Sequence, residues 1–210
     1  MASVNRVYTA LKDLVNKDQK GFVSPSIFNS FAGLAQMNIY NRLFDEHRNA
    51  MKFRRAGVDP GKSLGKTKLV EEDLSVFQKK SKLTQANGVF ERPSDFGRLS
   101  SITTNSSYVF STTVGTNVQV MHSQEDIDRA LMSDLSNPSA ESPIALMGDV
   151  IEVFPNTIKK IELRYYKQPE GLNPVTGAKT ASQPRFGYIT SIPGVELYDP
   201  TNSVDFELPE

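Results

Sequence analysis

This sequence predicts an α+β protein: an N-terminal antiparallel helical hairpin or bundle with a long central helix, plus an antiparallel β-rich insertion. Three observations predict it. Apolar residues recur three and four apart from residue 4 to residue 55, the period of a helix face. Beyond residue 88 the period shortens to two, that of a half-buried strand. The 13 glycines and 12 prolines, with many Ser, Thr and Asn, supply turns after the helices. Residues 1–88 are expected as the helical bundle with a basic loop at 56–68. Residues 89–200 follow as the β-rich part with one short helix at about 124–135, and residues 201–210 as a C-terminal extension.

Residues 4–17 predict a short amphipathic helix with Val4, Val7, Leu11, Leu14 and Val15 on its apolar side. A linker from Asn16 to Gly21 follows, with Gly21 a suitable left-handed stop. Ser24 is then a good N-cap and Pro25 suits a first helical position, where its missing N–H costs nothing. From there to Arg55 no proline intervenes, so one helix of roughly 45 Å is expected. Its apolar face is read as Ile27, Phe28, Phe31, Leu34, Ala35, Met37, Ile39, Leu43 and Phe44, with Phe31 and Leu43 in the core. Ala56–Lys68 carries three glycines and a proline and predicts a loop. Leu69–Lys80 is expected as a third helix with Glu71-Glu72-Asp73 at its N-terminus, closed by the turn Asn87-Gly88.

Val118 and Val120 then alternate with Gln119 and Met121, and Ser123-Gln124-Glu125-Asp126 offers a capping box for the short helix. Ile127, Leu131 and Leu135 would line its buried side. Ile144–Met147, Val150–Phe154 and Lys159–Tyr166 are expected as an antiparallel meander. Ile161, Leu163 and Tyr165 against Glu162 and Arg164 give the clearest alternation. Gly171–Arg185 reads as a long polar loop, and Phe186–Ile192 with Val195–Tyr198 as a hairpin around Pro193-Gly194.

Composition narrows the function. The formal net charge is +0, which disfavours a dedicated nucleic-acid binder. With no cysteine, disulfides and thiolate chemistry are excluded. No apolar run approaches a membrane span and Met1–Asp13 lacks a signal-peptide core, so a water-soluble chain is expected.

Three patterns invite a chemical reading and each lacks its context. Ala56–Ser63 loosely matches a phosphate-binding loop, which belongs between a buried strand and a helix; here a long helix precedes it and Pro60 removes an amide. Gly61-Lys62-Ser63-Leu64-Gly65 has the form of a nucleophile elbow without its strand. Asn16–Ile27 echoes a calcium loop, but Lys20 and Ile27 occupy positions that need oxygen ligands. His47, on a polar helix face, and His122, at a polar strand end, are the two imidazoles. The sequence therefore offers no catalytic, cofactor-binding or metal-binding residue.

Surface charge is what remains. Arg48, Lys52, Arg54, Arg55, Lys62, Lys66 and Lys68 face one acid, Asp59, within residues 48–68. Glu196, Asp199, Asp205, Glu207 and Glu210 have no base among residues 195–210. These twelve read either as two solvated faces or as candidate inter-subunit or docking contacts, with the two groups on opposite sides of a subunit.

Several segments resemble one family. Val4-Asn5-Arg6-Val7-Tyr8, the Asn16–Gln19 linker, Gly21–Pro25, Phe28–Ala32 and Ala35-Gln36 resemble the opening of the head–tail connector or tail-ring proteins of short-tailed bacteriophages, including crAss-like phages. Arg92–Phe96, Ser142–Ile144, Ile151–Pro155, Tyr165–Pro169 and Asp205–Glu210 fit the same pattern. The resemblance implies a non-enzymatic virion structural protein without cofactors. It would form a homo-oligomeric ring, dodecameric if it follows that family, in the tail or portal-proximal region of the virion. Its partners would be the portal protein and neighbouring tail or ring proteins. Double-stranded DNA would be cargo in the channel, and no membrane would be involved. Assembly would take place in the bacterial host cytoplasm. Another virion binding module, such as a minor capsid, fibre-attachment or cargo protein, is the alternative. In that family a C-terminal helix follows the element that here reads Phe206–Glu210.

Overall fold

The computed structural model describes residues 2–17, 21–55, 60–104, 115–180, 183–192 and 195–209; for 53–55, 60–67, 191–192 and 195–196 it describes the backbone alone. The protein is mixed α+β, with helices and several small sheets. It divides into two units, one of Met1–Val76 with Pro169–Glu210 and one of Phe77–Gln168. The β-rich part is thus an insertion, starting before residue 88 and ending well before residue 200.

The first unit opens with α1 (Val4–Lys17), α2 (Pro25–Arg55) and α3 (Pro60–Ser75). The start of α2 is as predicted: the Ser24 hydroxyl accepts from the Ile27 N–H at 3.3 Å, and Pro25 is the first helical residue. Its buried stripe differs from the predicted face. Phe28, Ala32, Gln36, Tyr40 and Ala50 are buried, whereas Phe31 is 61% exposed, and Ile27, Leu34 and Ile39 are exposed too. Small Ala32 and Gly33 let neighbouring chain approach; a Cβ on Gly33 would collide with the Gln183 side chain. On α1, Val4 and Tyr8 are buried, while Val7 and Leu14, assigned to the apolar side, are exposed. The Tyr8 ring sits 5.2 Å from Phe28 and 4.3 Å from Phe186, and its hydroxyl donates to the Val23 carbonyl at 2.9 Å.

The helix α3 corrects two expectations. The backbone is helical from Pro60, so most of the expected lysine loop is helix; residues 56–59 lie outside the described residues. Proline at the first position is favourable, and packing of α3 on α2 overrides the weak propensity of Gly61 and Gly65. The helix stops at Ser75, so Glu71-Glu72-Asp73 fall near its C-terminal end, not its N-terminus.

The inserted unit contains β1 (Gln78–Thr84), β2 (Phe90–Glu91), β3 (Phe96–Thr104), β4 (Gln119–Met121), α4 (Gln124–Met132), β5 (Ile144–Met147), β6 (Val150–Phe154) and β7 (Lys160–Lys167). Residues 78–80, expected to end a helix, begin β1 instead. Asn87 and Gly88 both have positive φ, 51° and 88°, forming the predicted turn between β1 and β2. One sheet has the order β1-β7-β3 and the other β2-β6-β5-β4. The expected meander is therefore broken after β6. Ile161, Leu163 and Tyr165 all point inward, so β7 is best served between two partners, β1 and β3. Between the sheets lie Phe90, Ile102, Val118, Ala145, Ile151, Val153, Ile161, Leu163 and Tyr165.

Strands β4 and β5 are parallel, so the chain needs a crossover, and α4 supplies it. Ile127 and Ala130 pack with Ile144, Met121, Leu146 and Phe154 on the outer face of the second sheet. The helix ends at Met132, short of Leu135, which is 97% exposed; Leu131 is also exposed. Ser123 is the N-cap but makes no side-chain cap bond, so the predicted capping box is not closed.

The chain returns to the first unit with β8 (Gly171–Leu172), β9 (Lys179–Thr180), β10 (Tyr188–Ile192), β11 (Val195–Tyr198) and β12 (Asp205–Phe206). Residues 171–180 of the expected polar loop form a tight hairpin, β8 to β9, and 181–182 lie outside the described residues. Asn173 Oδ1 accepts from the Val175 and Thr176 N–H groups, and Gly177 takes φ 65°. Strand β12 pairs with β8, and β10 with β11 as predicted. Ser203, Phe206, Glu207 and Leu208 are buried, so the segment read as an extension is part of the core.

Candidate interaction surface

The acidic group is the first test of the expected contacts. Asp205 Oδ1 accepts from the Val4 N–H at 2.7 Å, so it caps α1 from 201 residues away and favours the helix dipole. Asp199 is buried; its carboxylate accepts from the Asn202 side chain and from the Thr201 N–H at 2.9 Å. The Asn202 bond foremost holds its carboxyl below the usual aspartate range, against the upward push of desolvation.

Glu207 is the most committed of the three. It is fully buried; Oε2 accepts from the Glu170 N–H at 2.9 Å, and Lys179 Nζ lies 2.8 Å from Oε1. Its own N–H donates to Gln36 Oε1 at 3.1 Å, and Gln36 Nε2 donates to the Glu170 carbonyl at 3.4 Å. This polar knot explains why glutamine occupies the buried stripe of α2. A buried carboxylate is tolerated when every lone pair has a partner. Asp199, Asp205 and Glu207 therefore belong to the internal structure and do not form an outward acidic face. Glu196 lies in β11 with its backbone alone described, and Glu210 lies outside the described residues.

The basic group is placed differently. Arg48 is exposed and bonds Asp45 at 3.0 Å; Lys52 and Lys68 are exposed. Arg54 and Arg55 end α2 and Lys62 and Lys66 lie in α3, with only their backbone described. The pseudo-elbow Gly61–Gly65 is inside α3, not in a turn. The calcium-loop echo includes residues 18–20, outside the described residues. His47, expected on a solvated face, is half-buried, with Nε2 3.5 Å from Glu71 Oε1, joining α2 to α3. His122 lines an open groove of about 960 Å³ with Ser123, Asp126, Arg129 and the edge of β4.

The surface feature missing from the expected contacts is apolar. Ile27, Phe31 and Leu34 follow one another at helical spacing, with exposures of 52%, 61% and 58%. Phe22, just before the helix, is exposed too. The signal is present in the sequence: eleven apolar positions from Ile27 to Phe44 cover more of the helix than one buried stripe can use. Contiguous exposed apolar side chains of this size mark interaction sites more often than isolated ones do.

No family model and no curated protein matches the chain. Among the described residues, no helix is long and apolar enough to cross a membrane.

Proposed function

We propose that this protein is a non-enzymatic structural subunit of a bacteriophage virion, a head–tail adaptor that assembles as a ring below the portal. The row Ile27, Phe31 and Leu34 carries the proposal. A subunit that holds three large apolar side chains in water beside an already filled core has surface to give to a neighbour. A heterologous contact, one patch against a different patch on the next copy, closes into a ring when its rotation closes. The segment resemblances to tail-ring proteins point the same way, as does the plan of a helical part interrupted by a β-rich insertion.

In this assignment α1 and α2 form the helical hairpin of the subunit and α2 is its spine. The exposed Arg48, Lys52 and Lys68 supplement the apolar contact toward a neighbour or the portal. The three inward acids take no part, and the proposed contact rests on the apolar row instead of on charge pairing between residues 48–68 and 195–210.

Electron microscopy of the protein mixed with portal particles of the same virion tests it. A ring on the portal vertex is expected from the wild type and not from Phe31→Asp, whose melting temperature should stay near that of the wild type. Particles without added density, or a Phe31→Asp protein that still forms rings, would overturn the assignment.

A further inference from the structure

The inserted unit is electrically polarised. Residues 77–104 and 159–168 hold nine Lys and Arg against Glu91, Asp95 and Glu162, while residues 115–158 hold seven Asp and Glu against Arg129 alone. The fold converts this division along the chain into a division in space. On β7 the side chains of Ile161, Leu163 and Tyr165 point inward, so Lys160, Glu162, Arg164 and Tyr166 point outward. Residues opposite each other in an antiparallel pair share a face. Lys82 lies opposite Glu162 and Lys80 opposite Arg164, and Arg98 on β3 lies opposite Tyr166. The open face of the β1-β7-β3 sheet thus presents Lys80, Lys82, Arg98, Lys160 and Arg164 round one carboxylate, Glu162. Lys80 and Arg164 both approach that carboxylate, at 3.0 and 3.4 Å.

The opposite side is acidic. The apolar core lies between the sheets, so the outer face of the second sheet, covered by α4, is on the far side of the unit from the basic face. There Glu125, Asp126 and Asp128 stand exposed on α4. Glu152 on β6 shares that face, because Ile151 and Val153 point into the core. Arg129 is the cation among them, paired with Glu125 and Asp126.

We propose that the basic face of the β1-β7-β3 sheet docks on the acidic α4 side of a second copy of this chain. Complementarity selects this partner over a nucleic acid. A polyanion drawn to the basic sheet would meet an equal and opposite field on the rest of the same unit, whereas a second copy offers both signs in the matching arrangement. Docking of unlike faces is heterologous and leaves one face of each sign available, so contacts propagate from copy to copy. Closure of that series into a ring rests on the function proposed above; the pairwise contact does not.

Sedimentation velocity of the full chain, without portal particles, tests the contact. Self-association should weaken steeply between about 50 mM and about 500 mM salt. Lys82→Glu with Lys160→Glu cancels the net positive charge of the basic face, and Asp128→Lys with Glu152→Lys removes the net negative charge of the acidic one. Each double variant alone should associate at least tenfold more weakly than the wild type, and an equimolar mixture of the two should associate again. Milder Lys82→Gln with Lys160→Gln should weaken association in the same direction if the reversed variant fails to fold. A wild type that stays monomeric at about 100 μM in low salt, or reversals without effect on association, would overturn the proposal. So would a basic-face variant that loses a short DNA duplex but associates normally. Association that survives while portal docking fails would retain this contact and remove the portal role.

Discussion

Phe28 and Phe31 are one helical turn apart, have the same side chain, and have opposite roles. Phe28 is 6% exposed against Tyr8, and Phe31 is 61% exposed. Phe28→Ala should cost about 3–5 kcal/mol in urea unfolding. Phe31→Ala should change stability by less than about 0.5 kcal/mol while lowering assembly. Asp95 offers a second test at this scale. Burial alone would raise its pKa, but bonds from Lys79 and from the Tyr165 hydroxyl, at 2.8 Å, outweigh it and hold the carboxyl below the usual aspartate range. A folded-state pKa below the unfolded one means that the unfolded chain binds the proton more readily. The stabilisation is then complete above the ordinary aspartate range and is lost as pH falls through the lower folded value. Asp95→Asn should flatten this acidic limb of the stability-versus-pH curve, and an unchanged limb would show that Asp95 does not link to folding.

At the scale of elements, legibility in the sequence follows the range of the interactions. The start of α2 was readable because Ser24, Pro25 and Ile27 settle it within four residues. The turn at Asn87-Gly88 and the inward alternation of β7 were readable for the same reason. The buried side of α2 was not, because Phe28 and Phe31 are chemically alike and the choice is made by other segments: Tyr8, backed by Phe186, packs on Phe28, and Gln183 closes on Gly33. Nor was the role of Glu207, whose partners are 37 and 171 residues away. Local pattern showed five acids near the end of the chain; only the fold shows three of them facing inward. Glu207→Ala should cost about 1–3 kcal/mol, since it takes the acceptor from the Glu170 N–H, while the half-exposed Lys179 ammonium turns to solvent. Glu207→Gln, which keeps an acceptor, should cost less. Equal losses for the two would mean that volume, and not hydrogen bonding, is what Glu207 supplies.

For the whole molecule, the consequential feature is that α1 takes its cap from Asp205 and α2 its buried polar partner from Glu207, while residues 77–168 form a separate unit between them. The entrance and exit of that unit are joined, the Lys167 N–H donating to the Phe77 carbonyl at 2.8 Å. On a ribosome the order of completion is therefore inverted relative to the order of synthesis. The three first-made helices emerge without the segment that anchors them, and the β unit, closed on itself, reaches its native state while they wait. Nascent chains stalled with residue 168 just outside the exit tunnel should show a protease-resistant core at 77–168 and cleavage within α1 and α2. Protection of those helices should arrive once residues 205–208 emerge. Until then the apolar positions of α2, both those destined for the core and those kept for a neighbour, are open to chaperones together, so the helix made second is among the last to be shielded.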